Sequence, residues 1–302
     1  MNSTISILIP TYNRLDVLIN ALDSVYEQTI LPNEIIIGDD STNDLTEKYI
    51  EKLKSTSKIP IYYYHHSPSL KQMRNVDFLF KKAKGDFLML LHDDDMLFPK
   101  CIELLKKPLE ENPEVIASFG NQMLTTDSGD IINGSEKIND SFFRTAEREG
   151  IVDGFVAGAV SMFPNDCYLV RREDALTVGY LDVAGRAGNG VDFYFGFSLG
   201  KLNKKFYYVN EFTAKYRLSN ESIRITSDSG YTSVKMLFED CKDRMSPEIE
   251  QSIKNKIANA ITIAVRKKDK KNALKWLFSK YYRSKLFTPR GIKRLLLIMN
   301  PF

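Results

Sequence analysis

The chain is poor in residues that would staple or anchor it. Its three cysteines, Cys101, Cys167 and Cys241, stand far apart with no paired spacing. That excludes a disulfide framework and a zinc cluster and predicts a reducing compartment. No apolar run approaches the ~18 residues that a membrane span requires. The opening MNSTISILIPTYN holds only a short apolar run without basic flanks, so no signal peptide is expected. Glycine-rich phosphate loops are missing too: no GxGxxG follows the first apolar run, and no GxxxxGK followed by Ser or Thr occurs. A nucleotide, if bound, is therefore not gripped in the dinucleotide-fold or P-loop manner. A metal held by carboxylates is the other common grip on a diphosphate.

What is present is ample core. The 302 residues are 43% hydrophobic, enough for one large α/β domain with an appendage or for two modest domains. The net charge of +3 conceals an asymmetry: from Arg266 to Phe302, twelve Lys or Arg face Asp269 alone. The tail is strongly basic and the rest of the chain is net acidic.

The most informative stretch is Phe87 to Pro99, FLMLLHDDDMLFP. Phe87 to Leu91 is long enough for one buried strand, and it runs into His92 and three aspartates, Asp93, Asp94 and Asp95. Adjacent carboxylates repel one another, and at the mouth of a buried strand they have little bulk water, so a divalent cation is their natural partner. The competing reading is a solvated acidic loop that caps a helix starting near Pro99. The position decides for a site, because open α/β sheets bind ligands just beyond their strands.

The preceding segments repeat one form. Ile5 to Ile9 predicts a strand stopped by Pro10, then a polar turn at Thr11, Tyr12 and Asn13, then a helix through Leu15, Leu18, Ile19, Leu22 and Val25. Glu34 to Gly38 predicts a second strand, followed by Asp39 and Asp40 and a helix capped by Asn43 or Asp44 and running through Leu53. Ile61 to Tyr64 predicts a third, with a mainly buried helix after it that carries Met73, Val76, Phe78, Leu79 and Phe80 and ends near Gly85. Strands alternating with helices imply a doubly wound, mainly parallel sheet whose polar turns converge on one edge.

Four segments in order, SILIPTYNR (Ser6–Arg14), EIIIGDDSTND (Glu34–Asp44), Arg74 with Asn75, and LHDDDMLFP (Leu91–Pro99), resemble the successive motifs of family 2 glycosyltransferases, inverting enzymes of GT-A fold. The resemblance covers about the first 220 residues. It implies that Pro10, Thr11 and Tyr12 line a nucleobase and ribose pocket and that Asp40 accepts a hydrogen bond from the base. It further implies that Arg74 approaches the diphosphate or base, that Asp93 binds ribose, and that Asp94 or Asp95 ligates Mn²⁺ or Mg²⁺. Helix capping is the competing role for Asp40, and a plain exposed helical arginine the competing role for Arg74.

Further on, Val115 to Phe119 predicts a strand, Gln122 to Ile132 a hairpin, Ser141 to Gly150 a polar mobile segment, and Phe155 to Phe163 core packing. Gly190 to Leu199, GVDFYFGFSL, resembles the family's Glu-Asp helix start. The resemblance makes Asp192 the general base, with Val191 where the glutamate usually stands; helix capping is again the competing role. Lys215 to Ser222 resembles a Tyr-Arg-x-His motif in which Ser219 replaces the histidine and Arg217 is left to assist the phosphates. Ser219 to Tyr231 reads as a lid. These lines predict a GT-A domain over residues 1–230, split at 120 into nucleotide-sugar and acceptor halves, and a basic helical region over 231–302.

In that region Ile249, Ile253, Ile257, Ile261 and Val265 form a helical stripe. Beyond it Trp276, Leu277, Phe278, Tyr281, Tyr282 and Leu295 to Met299 are interleaved with cations, a pattern suited to an anionic membrane surface. Packing on the catalytic domain or on a second subunit, as in a homo-oligomer, is the alternative. No nucleic-acid module is recognisable. The expected activity is transfer from a nucleoside-diphosphate sugar, UDP-linked, to a saccharide or lipid-linked saccharide, in the cytoplasm or at the inner face of the membrane. The rivals are a non-catalytic sugar-nucleotide-binding module and a sugar-phosphate nucleotidyltransferase.

Overall fold

The computed structural model describes residues 3–218 and 228–299. The chain divides into two compact units, residues 1–181 with 195–220, and residues 182–194 with 221–302.

The first unit is built on one nine-stranded sheet. Strand β1 (Ile5–Thr11) lies between β2 (Glu34–Asp39) and β4 (Phe87–Leu90), and β3 (Ile61–His65) pairs β2, all parallel. Their apolar runs need no alternation because helices cover both faces, so Ile7, Ile36 and Met89 are all buried. Helices α1 (Leu15–Tyr26), α2 (Leu45–Thr56) and α3 (Lys71–Lys82) connect them. The register sets Thr11 beside Asp39 and Asp39 beside His65, so the polar turns after three strands share one edge. Close approach of α3 to β2 depends on Gly38: Asn75 Nδ2 donates to its carbonyl at 2.8 Å, and a Cβ there would meet Asn75 Oδ1 at 2.0 Å.

The other half of the sheet is mixed. Strand β8 (Leu169–Arg171) runs antiparallel between β4 and β6 (Val115–Thr125). Strand β9 (Lys205–Arg217) is parallel to β6 and antiparallel to β5 (Met96–Leu97) and β7 (Gly150–Asp153). Three details differ from expectation. Strand β6 continues to Thr125, so the hairpin shrinks to a Thr125–Ile131 bridge around a short turn. Strand β9, unanticipated, is the longest. Arg144 is buried in the stretch read as mobile, donating to Met162 O and Asn139 Oδ1. The apolar Phe155–Phe163 stretch does enter the core, through α6 (Gly154–Ala159) and a ring cluster of Phe119, Phe163, Tyr168 and Phe195. Helices α4 (Cys101–Glu111), α5 (Ser135–Ser141) and α7 (Arg172–Val178) complete the unit.

Along the chain, α8 (Val191–Gly200) begins in the second unit and ends in the first. The second unit is otherwise helical: α9 (Ser229–Asp240), α10 (Pro247–Arg266), α11 (Lys270–Leu277) and α12 (Pro289–Met299). The predicted isoleucine stripe of α10 is buried, with Val265 at its margin. Trp276, Leu277 and Tyr282 are buried as well. These aromatics of the basic tail therefore form core rather than surface. No helix among the described residues is long and apolar enough to cross a membrane.

Candidate functional site

The aspartate turn is organised by an arginine. Strand β4 delivers His92 and the three aspartates to the shared sheet edge, beside the end of β1, because Leu91 N–H continues the ladder to Leu8 O at 3.0 Å. Asp93 is 1% exposed; Thr11 Oγ1 donates to its Oδ2 at 2.7 Å, and the Arg14 guanidinium donates to its Oδ1. The same guanidinium reaches Asp94 Oδ2 at 2.8 Å. Asn13, held in the left-handed region at φ 53°, turns the chain so that Arg14 can fold back over the triplet. Its own amide bridges Thr42 and Asn43, tying the turn after β1 to the turn after β2.

Burial pushes the Asp93 carboxyl above its ordinary range against the pull of Arg14. Burial also works against the Arg14 charge, but Asp93 and Asp94 outweigh it and hold the guanidinium firmly protonated. Asp95 faces the interior. It is 2% exposed, accepts from Arg217 N–H at 2.8 Å, and lies in a cluster with His92 and Asp166 whose ligand atoms fall within 4.8 Å of one another. Burial first, then the charges of Asp166 and Asp94, push Asp95 well above the usual carboxylate range. Asp166 in turn accepts from His92 N–H at 3.0 Å and from Gln122 Nε2 at 3.2 Å. Gln122 Oε1 meets the Arg144 guanidinium, a cation that burial pulls down to about 10 and the Asp166 charge supports.

At the same edge Asp40 is buried, its N–H bonded to Thr11 O at 3.0 Å and its Oδ1 accepting from Leu70 N–H at 2.8 Å. At the start of α2 it is Asn43 Oδ1 that accepts from Leu45 N–H, while Asp40 reaches Leu70, the residue that opens α3. Pro10 and Thr11 end β1, Tyr12 presents an exposed ring, and Arg74 stands exposed in the first turn of α3, next to the anchored Asn75. Arg217 reaches the triplet through its backbone, while its Nε donates to Asp127 Oδ1 at 3.1 Å. Asp192 lies in the second unit, in the first turn of α8. Just ahead of it, Arg186 pairs with Asp240 and Glu239, and Thr232 Oγ1 donates to Ala187 O. Ser219 and most of the expected lid lie outside the described residues.

The structure thus brings together Pro10, Thr11, Tyr12, Asp40, Asp93, Asp94, Asp95 and the Arg217 backbone in the first unit. Sequence reading missed Arg14, Asp166 and Arg144. Arg14 stood inside a quoted motif, directly after a polar turn, and that was its one local signal.

For a divalent cation two sets of donors are present: the group of His92, Asp95 and Asp166, and Asp94 nearer the surface. Asp94 keeps Oδ1 without a partner among the described residues and is partly exposed, whereas both Asp93 oxygens are engaged and Asp95 is enclosed. Asp93 and Asp94 against one guanidinium leave the turn anionic.

The profile of glycosyl transferase family 2 matches residues 6–169. A Campylobacter jejuni relative, the GalNAc(5)-diNAcBac-PP-undecaprenol beta-1,3-glucosyltransferase, is 27% identical over 124 residues, 40% of this chain and 38% of that one. The chain spans well under half the length of the curated relatives that it matches. Among solved structures, S. aureus TarS 1–349 in complex with UDP superposes with TM-score 0.60 at 14% identity, covering 98% of this chain and 88% of that one. Mannosyltransferase PcManGT from Pyrobaculum calidifontis, in complex with GDP-Man and Mn²⁺, gives 0.57 at 12%, covering 99% and 88%. These likenesses carry the fold, which is GT-A. With more than half of its length matched by the family profile, from the first strand to β8, the chain belongs to glycosyl transferase family 2.

Proposed function

We propose that this chain is a metal-dependent inverting glycosyltransferase. It would move a sugar from a nucleoside-diphosphate donor, UDP-linked, to a hydroxyl of a surface glycan or lipid-linked saccharide. The observation that carries the reading is the convergence of Thr11, Asp40 and the Arg14-bound aspartate turn on one sheet edge, in a chain of this family. Tyr12 offers a ring face to the base, and Asp40 a carboxylate oxygen to its N–H. Arg74, exposed in the first turn of α3, is assigned to the diphosphate or base, and Asp93 would take a ribose hydroxyl in exchange for one of its present donors. Asp94 is the ligand we assign to Mn²⁺ or Mg²⁺; Asp95, the other candidate, supports the turn from beneath through Arg217. When bound, the metal supplies charge neutralisation for the departing nucleoside diphosphate.

Asp192 is assigned the base. Its carboxylate takes the acceptor hydroxyl proton as that oxygen bonds to the anomeric carbon, while the bond to the diphosphate oxygen breaks and its electron pair leaves with the nucleotide. The proposed division is a GT-A domain over residues 1–230 and a basic helical region after it. The lipid-linked name of the Campylobacter relative supports an acceptor at a membrane.

Purified protein with Mn²⁺ and a panel of nucleotide sugars should release nucleoside diphosphate, and chelation should stop it. Asp192→Asn should lose transfer by a factor of at least ~100 while donor binding persists. No release with any donor, with or without acceptors, would leave a sugar-nucleotide-binding or glycan-binding module, the reading that Val191 and Ser219 motivate.

A further inference from the structure

We infer that the outer face of α12, with the turn before it, is a docking surface for an anionic lipid bilayer. Among the described residues, five of the twelve large apolar side chains that stand exposed lie from Phe278 to Met299: Phe278, Phe287, Ile292, Leu296 and Met299, with Phe287 at 87% and Leu296 at 64% exposure. Ile292, Leu296 and Met299 are spaced i, i+4, i+7, which puts them on one side of a helix. The opposite side is committed. Gly291 and Ile298 are buried, and the Arg294 guanidinium donates to Tyr282 Oη at 2.8 Å and Thr262 Oγ1 at 3.2 Å. Gly291 allows the helix to lie on the turn beneath it, since a Cβ there would meet Lys285 O at 2.1 Å. The apolar stripe is therefore presented on a helix already folded and held.

Charge selects the occupant. Lys285, Arg290 and Lys293 are exposed in the same segment and make no ion pair among the described residues, and the segment from Arg266 onward holds Asp269 as its one carboxylate side chain. A second copy docking through the same face would set these cations against their own equivalents. An anionic leaflet supplies the missing negative charge and a place for Phe287 and Leu296 at the acyl boundary. The inference deepens the reading of a membrane-borne acceptor, but lipid binding and donor turnover are measured separately, so one can fail without the other.

The test is flotation of the full chain with phosphatidylcholine vesicles, with and without phosphatidylglycerol. Wild type should float with the phosphatidylglycerol vesicles alone and be released by high salt. Removing two cations in R290Q/K293Q should weaken the partition about 25-fold, at roughly fivefold per charge. I292S/L296S, which alters exposed positions, should abolish flotation while its thermal unfolding and nucleoside-diphosphate release stay as in wild type. Failure of wild type to float, or unchanged flotation of I292S/L296S, overturns the proposal. So does a wild-type dimer in lipid-free light scattering that I292S/L296S converts to monomer.

Discussion

At the scale of single residues, the site is a problem in charge that the chain solves from within. Asp93 and Asp94 share Arg14, while Asp95 looks the other way, to Asp166. Because the Asp95 proton is held more tightly in the folded chain than in the unfolded one, its ionisation costs stability. The sign is fixed by that direction: stability falls as pH rises from the unfolded value of 3.8 through the raised folded value. An asparagine reproduces the protonated group, so Asp95→Asn should melt at or above the wild-type temperature at neutral pH and show a flatter stability profile on the acid side. Asp94→Asn should leave melting nearly unchanged and remove the metal-dependent stabilisation by nucleoside diphosphate. Thermal unfolding across pH, with and without Mn²⁺ and UDP, measures both. Thr11, Asp40 and Asp93 were legible in the sequence because each follows an apolar run at a strand end. Arg14 was not, since its partners lie about 80 residues away and no local pattern announces a guanidinium folded back across a turn. Asp166 and Arg144 were hidden for a like reason, as polar residues whose burial only the sheet reveals.

At the scale of elements, the parallel half was readable and the mixed half was not. Buried parallel strands are nearly pure apolar runs, so β1, β2 and β4 announce themselves. Strands β5 and β8 hold two and three residues, too few for any period to register, and they exist because longer neighbours give them partners. Strand β9 did carry a signal, the aromatic and β-branched run from Phe206 to Phe212, which was passed over. Helix α3, which carries Arg74, is seated on Gly38 through Asn75. Gly38→Ala should cost about 1–3 kcal/mol by overpacking against Asn75 and weaken donor binding by displacing Arg74. Asn75→Ala vacates the space that the new methyl needs. The two should therefore be strongly non-additive in urea unfolding, and simple additivity would show that the pair do not share this contact.

At the scale of the whole molecule, the residues of the proposed chemistry fall in two compact units: Asp40 and the aspartate turn in one, Asp192 in the other. The chain's single tryptophan, Trp276, is buried in the second unit, whereas backbone ellipticity reports on both. Nucleoside diphosphate with Mn²⁺ should stabilise the unit that binds it, by about 2.7 kcal/mol at a hundredfold excess over Kd. The ellipticity transition should therefore move to higher urea by more than the Trp276 fluorescence transition. Equal shifts in both would mean that the units unfold as one. The basic tail, conspicuous in composition, divides in the structure into an aromatic core around Trp276 and an outer face on α12. Composition alone offers no way to make that division.

The guanidinium of Arg14 also has a consequence in time. A turn that carries its own counterion can reach the native state in a chelating medium, with no ion to wait for. On the proposed function, its remaining carboxylate oxygen on Asp94 would be a weak lone ligand until a diphosphate contributed others. The resident arginine would then favour an order of assembly in which cation and nucleotide arrive together and depart together.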